Sequence, residues 1–370
     1  MTERVSIAIV HDWLTGMRGG EKVLEVLCEL YPRATLHTLL HHKGSVSPRI
    51  EGMKIKTSFL QHVPGSKSRY RHLLPLFPAA TESFDFSRFD VILSTSHAVA
   101  KGAIPAPGAL HICYCHTPMR YVWEMYDAYF GKGNAGPLTR AAMRLIAPSL
   151  RHWDVESSRR VHYFVANSLN VARRIRETYG RHADVIHPPV DLAAFRLSRR
   201  HEGFYLIVSA LVPYKRIDLA VQAFTRMNKR LKIVGTGPGA ARLKQHAGPT
   251  VEFLGWLSDA DLARQYEKCR AVVFPGVEDF GIVPLEAMAC GKPVIAFGRG
   301  GVLETVREGG KGRSGIFFHE QTVEALIEAV GRAEKETFDP VLIRKGAENF
   351  DVPVFRERMS RYVHEHLSLR

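Results

Sequence analysis

Short runs of β-branched and aliphatic residues alternate with stretches whose apolar positions recur every three to four residues, from one end of the chain almost to the other. Runs at 5–10, 91–94, 110–114, 163–166 and 184–186 are candidates for buried strands, and the first leads through Gly19 and Gly20 into a helical stretch at 21–30. Strands without a polar face, each followed by a turn or a helix, predict a parallel sheet covered on both sides. Pro188, Pro189 and the polar, basic stretch 196–203 break this pattern. A second series opens at 204–209, with a helix at 217–224 and further strands at 231–234, 251–254, 271–274 and 293–297. The fold class is therefore α/β, with two doubly wound domains at 1–195 and 196–353 and a closing helix from about 354 to 370.

In open α/β sheets ligands bind outside the carboxyl ends of the strands, and between two such domains a cleft is the expected site. The loops after the strands are thus where chemistry is sought. The loop after the first strand holds Asp12, Arg18 and the glycines Gly16, Gly19 and Gly20, which let backbone approach a ligand closely. Cys113, Cys115 and His116 end another strand of the first domain, and Lys215 and Arg216 follow the first strand of the second. The run 274–291 reads as strand, loop and helix, with Glu278 and Glu286 on either side of Phe280, Gly281, Ile282 and Pro284. Proline is tolerated in a first helical turn, and a glycine at the helix start leaves its N–H groups open to a phosphate. If most of the eight steps from Glu278 to Glu286 are helical, the carboxylates stand up to about 12 Å apart. That suits a ligand with hydroxyls at both ends and phosphates between them. The plainer reading is a carboxylate favoured at a helix N-terminus and another in a solvated helix face.

Composition narrows the class. The chain has 370 residues, 45% apolar and 24% charged, which excludes disorder and fibrous repeats. Five cysteines, an odd number with no CxxC spacing, argue against a disulfide framework or a zinc ribbon and for a reducing compartment. No run approaches the roughly 18 apolar residues of a membrane span, so a cytoplasmic protein is expected. The net charge of +14 is uneven: residues 1–200 carry 27 Lys and Arg against 16 Asp and Glu, and residues 201–370 carry 24 against 21. Nucleic acid, an acidic membrane surface and a phosphorylated substrate would each fit the basic first half. Its segments 67–77 and 140–153 mix cations with large apolar side chains, as interfacial segments do, and as core-facing helices with a basic edge also do.

Two motifs mislead. Gly235, Gly237 and Gly239 imitate a dinucleotide fingerprint, but the spacing is wrong and a turn after a strand is the better reading. Asp259 and Asp261 imitate a metal-binding Asp-x-Asp, yet after Ser258 they read as a helix N-terminus. His116 beside Cys113 and Cys115 makes no recognisable ligand set, and no metal is expected.

The run 274–291 resembles the Glu-x7-Glu signature of family 4 retaining glycosyltransferases of the GT-B fold. The segments 208–218, 233–238 and 300–304 resemble neighbouring loops of that family, and Asn167, Ser168 and 188–191 resemble the end of its first domain. The resemblance implies two Rossmann-like domains facing each other across a cleft, with the last helix crossing back to the first. It implies that Lys215 holds a donor diphosphate, with Gly19, Gly20, Gly281 and Ile282 near the phosphates, Glu278 on the sugar, Glu286 on the ribose, and His116 near the transferred sugar. Phe280 lies in the same donor loop. An arginine usual six residues before the lysine is Ser209 here, and Arg216 is the candidate replacement. Asp12 and Arg18 are candidate sugar or acceptor contacts.

The activity so implied is metal-independent transfer of a hexose, mannose from GDP-mannose first, to a saccharide, a lipid-linked surface-polysaccharide precursor at the cytoplasmic face of the membrane. No cofactor is implied beyond the nucleotide sugar, and no nucleic acid. An epimerase or sugar-phosphate synthase of the same fold is the alternative within enzymes, and a noncatalytic basic membrane- or nucleic-acid-binding protein the alternative outside them.

Overall fold

The computed structural model describes residues 5–66, 70–132 and 136–369. Lys67, Ser68 and Arg69 of the first basic segment lie outside them. The chain forms two compact units: one runs to Pro189 and resumes at Phe355, and the other is Val190–Val354.

The first unit is built on seven parallel strands: β1 Ile7–His11, β2 Thr35–Thr38, β3 Lys54–Thr57, β4 Val91–Ser96, β5 Leu110–Cys115, β6 Tyr163–Ala166 and β7 Ala183–Val185, in the order β3-β2-β1-β4-β5-β6-β7. β4 and β5 are buried along their whole length, as strands with no polar face require. β2 and β3 are additions to the sequence reading. Thr and His break up β2, and β3, at the sheet edge, alternates Lys and Thr with Ile at exposed and half-buried positions, so neither presents an apolar run. The chain steps outward from β1 to β3 and then returns to the other side of β1 with β4, which creates a topological switch point between β1 and β4.

From Phe355 onward the helix Val352–Ser368 belongs to this unit. Phe355 packs edge-on against Tyr114 with ring centroids 5.8 Å apart, and the Tyr362 hydroxyl donates to Asp184 at 2.8 Å. The long helix Pro137–Ser158 is anchored by a buried ion pair, Lys101 Nζ to Asp154 Oδ1 at 2.9 Å. Trp123 Nε1 and the Tyr179 hydroxyl donate to Asp154 Oδ2 at 2.8 and 2.9 Å, so the buried carboxylate is satisfied.

The second unit repeats the plan with six parallel strands: β8 Tyr205–Val208, β9 Leu231–Val234, β10 Val251–Gly255, β11 Ala271–Phe274, β12 Val294–Phe297 and β13 Gly315–Phe318, in the order β10-β9-β8-β11-β12-β13. Its switch point lies between β8 and β11. β13 also escapes the sequence reading, because Gly309, Gly310 and Gly312 just before it read as loop. Ser258 caps the helix Asp259–Lys268 by accepting from the Asp261 N–H, the role expected for that segment. Among the described residues no helix is long and apolar enough to cross a membrane.

Candidate functional site

In the second unit the switch point brings together the loops after β8 and β11. Gly276 lies so close to Lys215 that a Cβ on it would stand 3.0 Å from the Lys215 Cα and carbonyl oxygen. Contacts that close require glycine, and they set the two loops side by side. Across this contact the Lys215 ammonium pairs with the Glu278 carboxylate, both largely shielded from solvent. The ammonium also sits 5.3 Å from the centre of the Tyr214 ring.

The loop after β12 closes on the same place. Gly301 N–H donates to the Glu278 carbonyl at 3.0 Å, and a Cβ on Gly301 would come within 2.4 Å of the Phe280 Cα and the Asp279 oxygen. Gly281, at φ +90°, adopts a conformation that favours glycine and opens the helix Ile282–Ala289. On the far side of β8, a Cβ on Gly235 would stand 2.0 Å from the Ser209 oxygen and one on Gly237 would stand 2.5 Å from the Leu211 oxygen. The Gly-x-Gly-x-Gly run is therefore a turn fitted against its neighbour, as read from its spacing.

Three sequence expectations change here. The helix starts only at Ile282, so four of the eight steps from Glu278 to Glu286 are helical and Glu278 lies in the loop, bridged to Gly300; the 12 Å spacing does not apply. The Phe280 ring is buried against Phe350, 5.8 Å between centroids, so its side chain serves the core and only its backbone faces the loop. Arg216 adopts a left-handed backbone, φ +53°, and its guanidinium turns to Asp218 at 3.4 Å and Gln321 at 3.5 Å rather than joining the Lys215–Glu278 pair. Glu286 is 5% exposed, which rules out a solvated helix face, and it accepts from the Tyr266 hydroxyl at 2.7 Å. Burial and this carboxylate push the Tyr266 phenol far up, so it stays a donor. Tyr266 was missed in the sequence because it is 20 residues away on another helix, with no local signal.

The first unit has its own polar cluster at the switch point between β1 and β4. Asp12 is wholly buried, and its two oxygens accept from the N–H groups of His97, Ala98, Val99 and Ala100 at 2.7–3.0 Å and from His97 Nδ1 at 2.9 Å. Burial pushes this carboxyl up, but the charge and hydrogen bonds of His97, with His11, outweigh it and hold the group well below the usual carboxylate range. Asp12 thus anchors the loop after β4, with both carboxylate oxygens engaged inside the unit.

His116 follows β5 directly. Its ring lies 6.4 Å from that of His97 and 5.2 Å from that of Tyr114, and the Asn167 side chain donates to its carbonyl at 3.0 Å. Gly20, in the first turn of the helix Gly19–Leu30, faces the imidazole: a Cβ there would stand 3.5 Å from Nε2. That Nε2 is buried and has no hydrogen-bond partner, although the residue as a whole reaches the surface. Burial, with the nearby His97 and His11, lowers its pKa to about 3, so the ring is neutral. Arg18 is exposed, and its N–H donates to Glu21 at 3.0 Å. Among the described residues no three His, Cys, Asp or Glu side chains are grouped to hold a metal ion. The structure thus brings Gly20, His116 and Asp12 together in one unit, and Lys215, Glu278, Gly281 and Ile282 in the other.

A sequence profile described as Glycosyltransferase Family 4 matches residues 17–194, and one described as Glycosyl transferases group 1 matches residues 194–349. The chain belongs to the family 4 glycosyltransferases. The relatives of this family 4 chain include the D-inositol 3-phosphate glycosyltransferase of Mycobacterium marinum, 34% identical over 152 residues that make up 35% of this chain and 33% of that protein. The Mycobacterium tuberculosis enzyme of the same description is 32% identical over 171 residues, 39% of this chain and 36% of that one. The similarity thus spans about a third of the length of these relatives.

Among solved structures, the sucrose-phosphate synthase of Thermosynechococcus elongatus superposes with a TM-score of 0.72 at 18% identity, over 99% of this chain and 100% of that one. HepE of Anabaena in complex with UDP does so with a TM-score of 0.70 at 17% identity, over 97% and 100%. The fold is GT-B, with two Rossmann-like α/β domains.

Proposed function

We propose that the chain transfers a hexose from a nucleotide diphosphate sugar to a hydroxyl of a saccharide acceptor, with retention at the anomeric carbon and without a metal ion. The observation that carries this reading is the Lys215–Glu278 pair beside Gly281 at the switch point of the second unit. A donor diphosphate there draws the ammonium away from Glu278 and meets the open N–H groups of the helix Ile282–Ala289, a natural anion site. Glu278, released, binds hydroxyls of the sugar, and Glu286, held by Tyr266, binds those of the ribose. As the glycosidic bond breaks, positive charge grows on the sugar and negative charge on the leaving phosphate. Lys215 stabilises the latter. The acceptor attacks from the same face and a phosphate oxygen receives its proton. In the first unit His116 offers its unpartnered Nε2 to a sugar hydroxyl beside Gly20.

Mannose from GDP-mannose is the proposed donor, on the resemblance of 279–286 to mannosyl-transferring relatives; the structures of HepE hold UDP and UDP-glucose, which makes UDP-glucose its competitor. A lipid-linked acceptor at the cytoplasmic face of the membrane is supported by the helix Pro137–Ser158, where Leu138 and Leu145 are 84% and 82% exposed beside Arg140 and Arg144.

The test incubates purified protein with labelled GDP-mannose or UDP-glucose and a lipid-linked saccharide, with and without EDTA, and reads the anomeric configuration of the product by NMR. Transfer with retention that survives EDTA is expected. An altered nucleotide sugar formed without acceptor would identify an epimerase instead, and failure to bind any nucleotide would overturn the enzyme reading.

A further inference from the structure

The end of the second sheet opposite the donor loops carries a cationic cavity. Tyr205 opens β8, Ala271 opens β11 and Pro293 immediately precedes β12, and these amino ends line one hollow of about 190 Å³. Lys215, Glu278 and Gly300 lie beyond the carboxyl ends of the same three strands. Four residues of parallel strand separate the two ends by about 13 Å.

The titratable residues of the cavity are Arg199, His201, Arg270, Lys292 and Glu336; burial, with Arg270 and Lys292, lowers the His201 pKa, and its Nδ1 accepts from the Gly203 N–H, so this ring is neutral. Lys292 is only 4% exposed, and its ammonium donates to a single partner, the Arg200 carbonyl at 2.6 Å. Burial lowers its pKa; Cys269, Cys290 and the Glu267 carboxylate lie near enough to oppose that shift, but Glu267 makes no ion pair with it. Burial pushes the Cys290 thiol up to about 12 and the Cys269 thiol up as well, so both are neutral. A buried ammonium with no carboxylate in hydrogen-bond reach is costly. Glu336, the one carboxylate in the lining, pairs with Arg313. Glu334 lies 3.6 Å from Arg270 but is shared with Lys229 at 2.7 Å and the Tyr205 hydroxyl at 2.9 Å. Arg199 is exposed at the mouth. The cavity therefore gathers more positive charge than its own carboxylates answer.

We infer that this cavity is an anion site, distinct from the donor site, that takes a phosphate dianion or a small phosphate monoester. Two guanidinium groups provide fork-shaped donors suited to phosphate oxygens, and the ammonium supplies a point charge behind them. The volume is below that of pockets for drug-sized ligands and fits a phosphate with little attached.

Binding of inorganic phosphate and of a hexose monophosphate to the full chain, measured by calorimetry at matched ionic strength, tests the inference. Saturable binding is expected, unchanged in K215A, which removes the donor-site cation. It should weaken about tenfold for each cation removed in R199Q, R270Q and K292M. R199Q alters an exposed side chain and so reports binding even if K292M folds poorly. Tighter binding of the hexose phosphate would identify a monoester as the ligand, and equal binding would identify phosphate itself. Heat reproduced by chloride, or binding that K215A abolishes while R199Q and R270Q keep it, would overturn the inference. The second outcome would place the phosphate at the donor site and leave the proposed activity untouched.

Discussion

The Lys215 ammonium and the Glu278 carboxylate form an ion pair, so a donor diphosphate bound as proposed has to compete with Glu278 for its cation. The two residues should then respond in opposite directions to nucleotide. In E278Q the competing charge is gone, and the nucleotide diphosphate without its sugar should bind several-fold tighter. Turnover should fall about 10²- to 10³-fold, since a preorganised partner of the sugar is lost. K215A should weaken binding and turnover together. Calorimetry with the nucleotide and turnover with the sugar donor separate the cases, and unchanged nucleotide affinity in E278Q would mean that the pair does not gate the site.

Tyr266 donates to Glu286, which is almost wholly buried. Y266F deletes a hydrogen bond to a charged group and leaves a buried carboxylate short of a donor, a loss of about 1.5–3 kcal/mol. Urea unfolding should show that loss, with weaker nucleotide-sugar binding alongside it. A variant as stable as the parent would mean that Glu286 finds another donor.

Acid should weaken the first unit well above the range in which its carboxylates titrate. Burial lowers the pKa of His37 to about 4 and of His111 to about 3, and His116 is lowered to about 3, all from an ordinary 6.5. The unfolded chain takes up protons at these rings as the pH falls below 6.5, while the folded chain does not, so stability declines from there. Each ring contributes at most about 1.4 kcal/mol per pH unit. Asp12 and Glu21, held below the usual carboxylate range despite burial, act lower: their stabilisation is present above about pH 4 and is lost as the pH falls further. Urea midpoints at pH 7, 6 and 5 should fall steadily, and a flat series would contradict the buried neutral imidazoles.

The exposed leucines of the helix Pro137–Ser158 give a readout free of folding effects. Burying one leucine contributes about 1.5–3 kcal/mol. L138S with L145S should therefore reduce co-sedimentation with anionic vesicles at least about tenfold while leaving the thermal midpoint unchanged. Equal sedimentation of the double variant would remove this helix from the membrane reading.

The strands with long apolar runs and the loops holding Lys215, Glu278 and Gly281 were legible because each signal is contained within a few consecutive residues. β2 and β3 were not, because Thr and Lys interrupt their apolar positions, and β13 was not, because it follows directly on a glycine-rich loop. The same limit hides what two of the candidate site residues touch. Asp12 stands where a ligand contact would stand, and only the fold reveals that the turn after β4 consumes its carboxylate. Arg216 was assigned by its charge beside Lys215, whereas its left-handed backbone sends the side chain elsewhere.

The loops of the second unit are locked to one another through glycines: Gly276 on Lys215, Gly301 on Phe280, Gly235 and Gly237 on the segment after β8. The scaffold of the proposed donor site is thus written in main chain, and the Lys215 and Glu278 side chains are separate from the contacts that hold it. Such a division of labour lets substrate preference drift by substitution at the lining while the frame stays fixed, whereas any side chain added at those glycines breaks the frame itself.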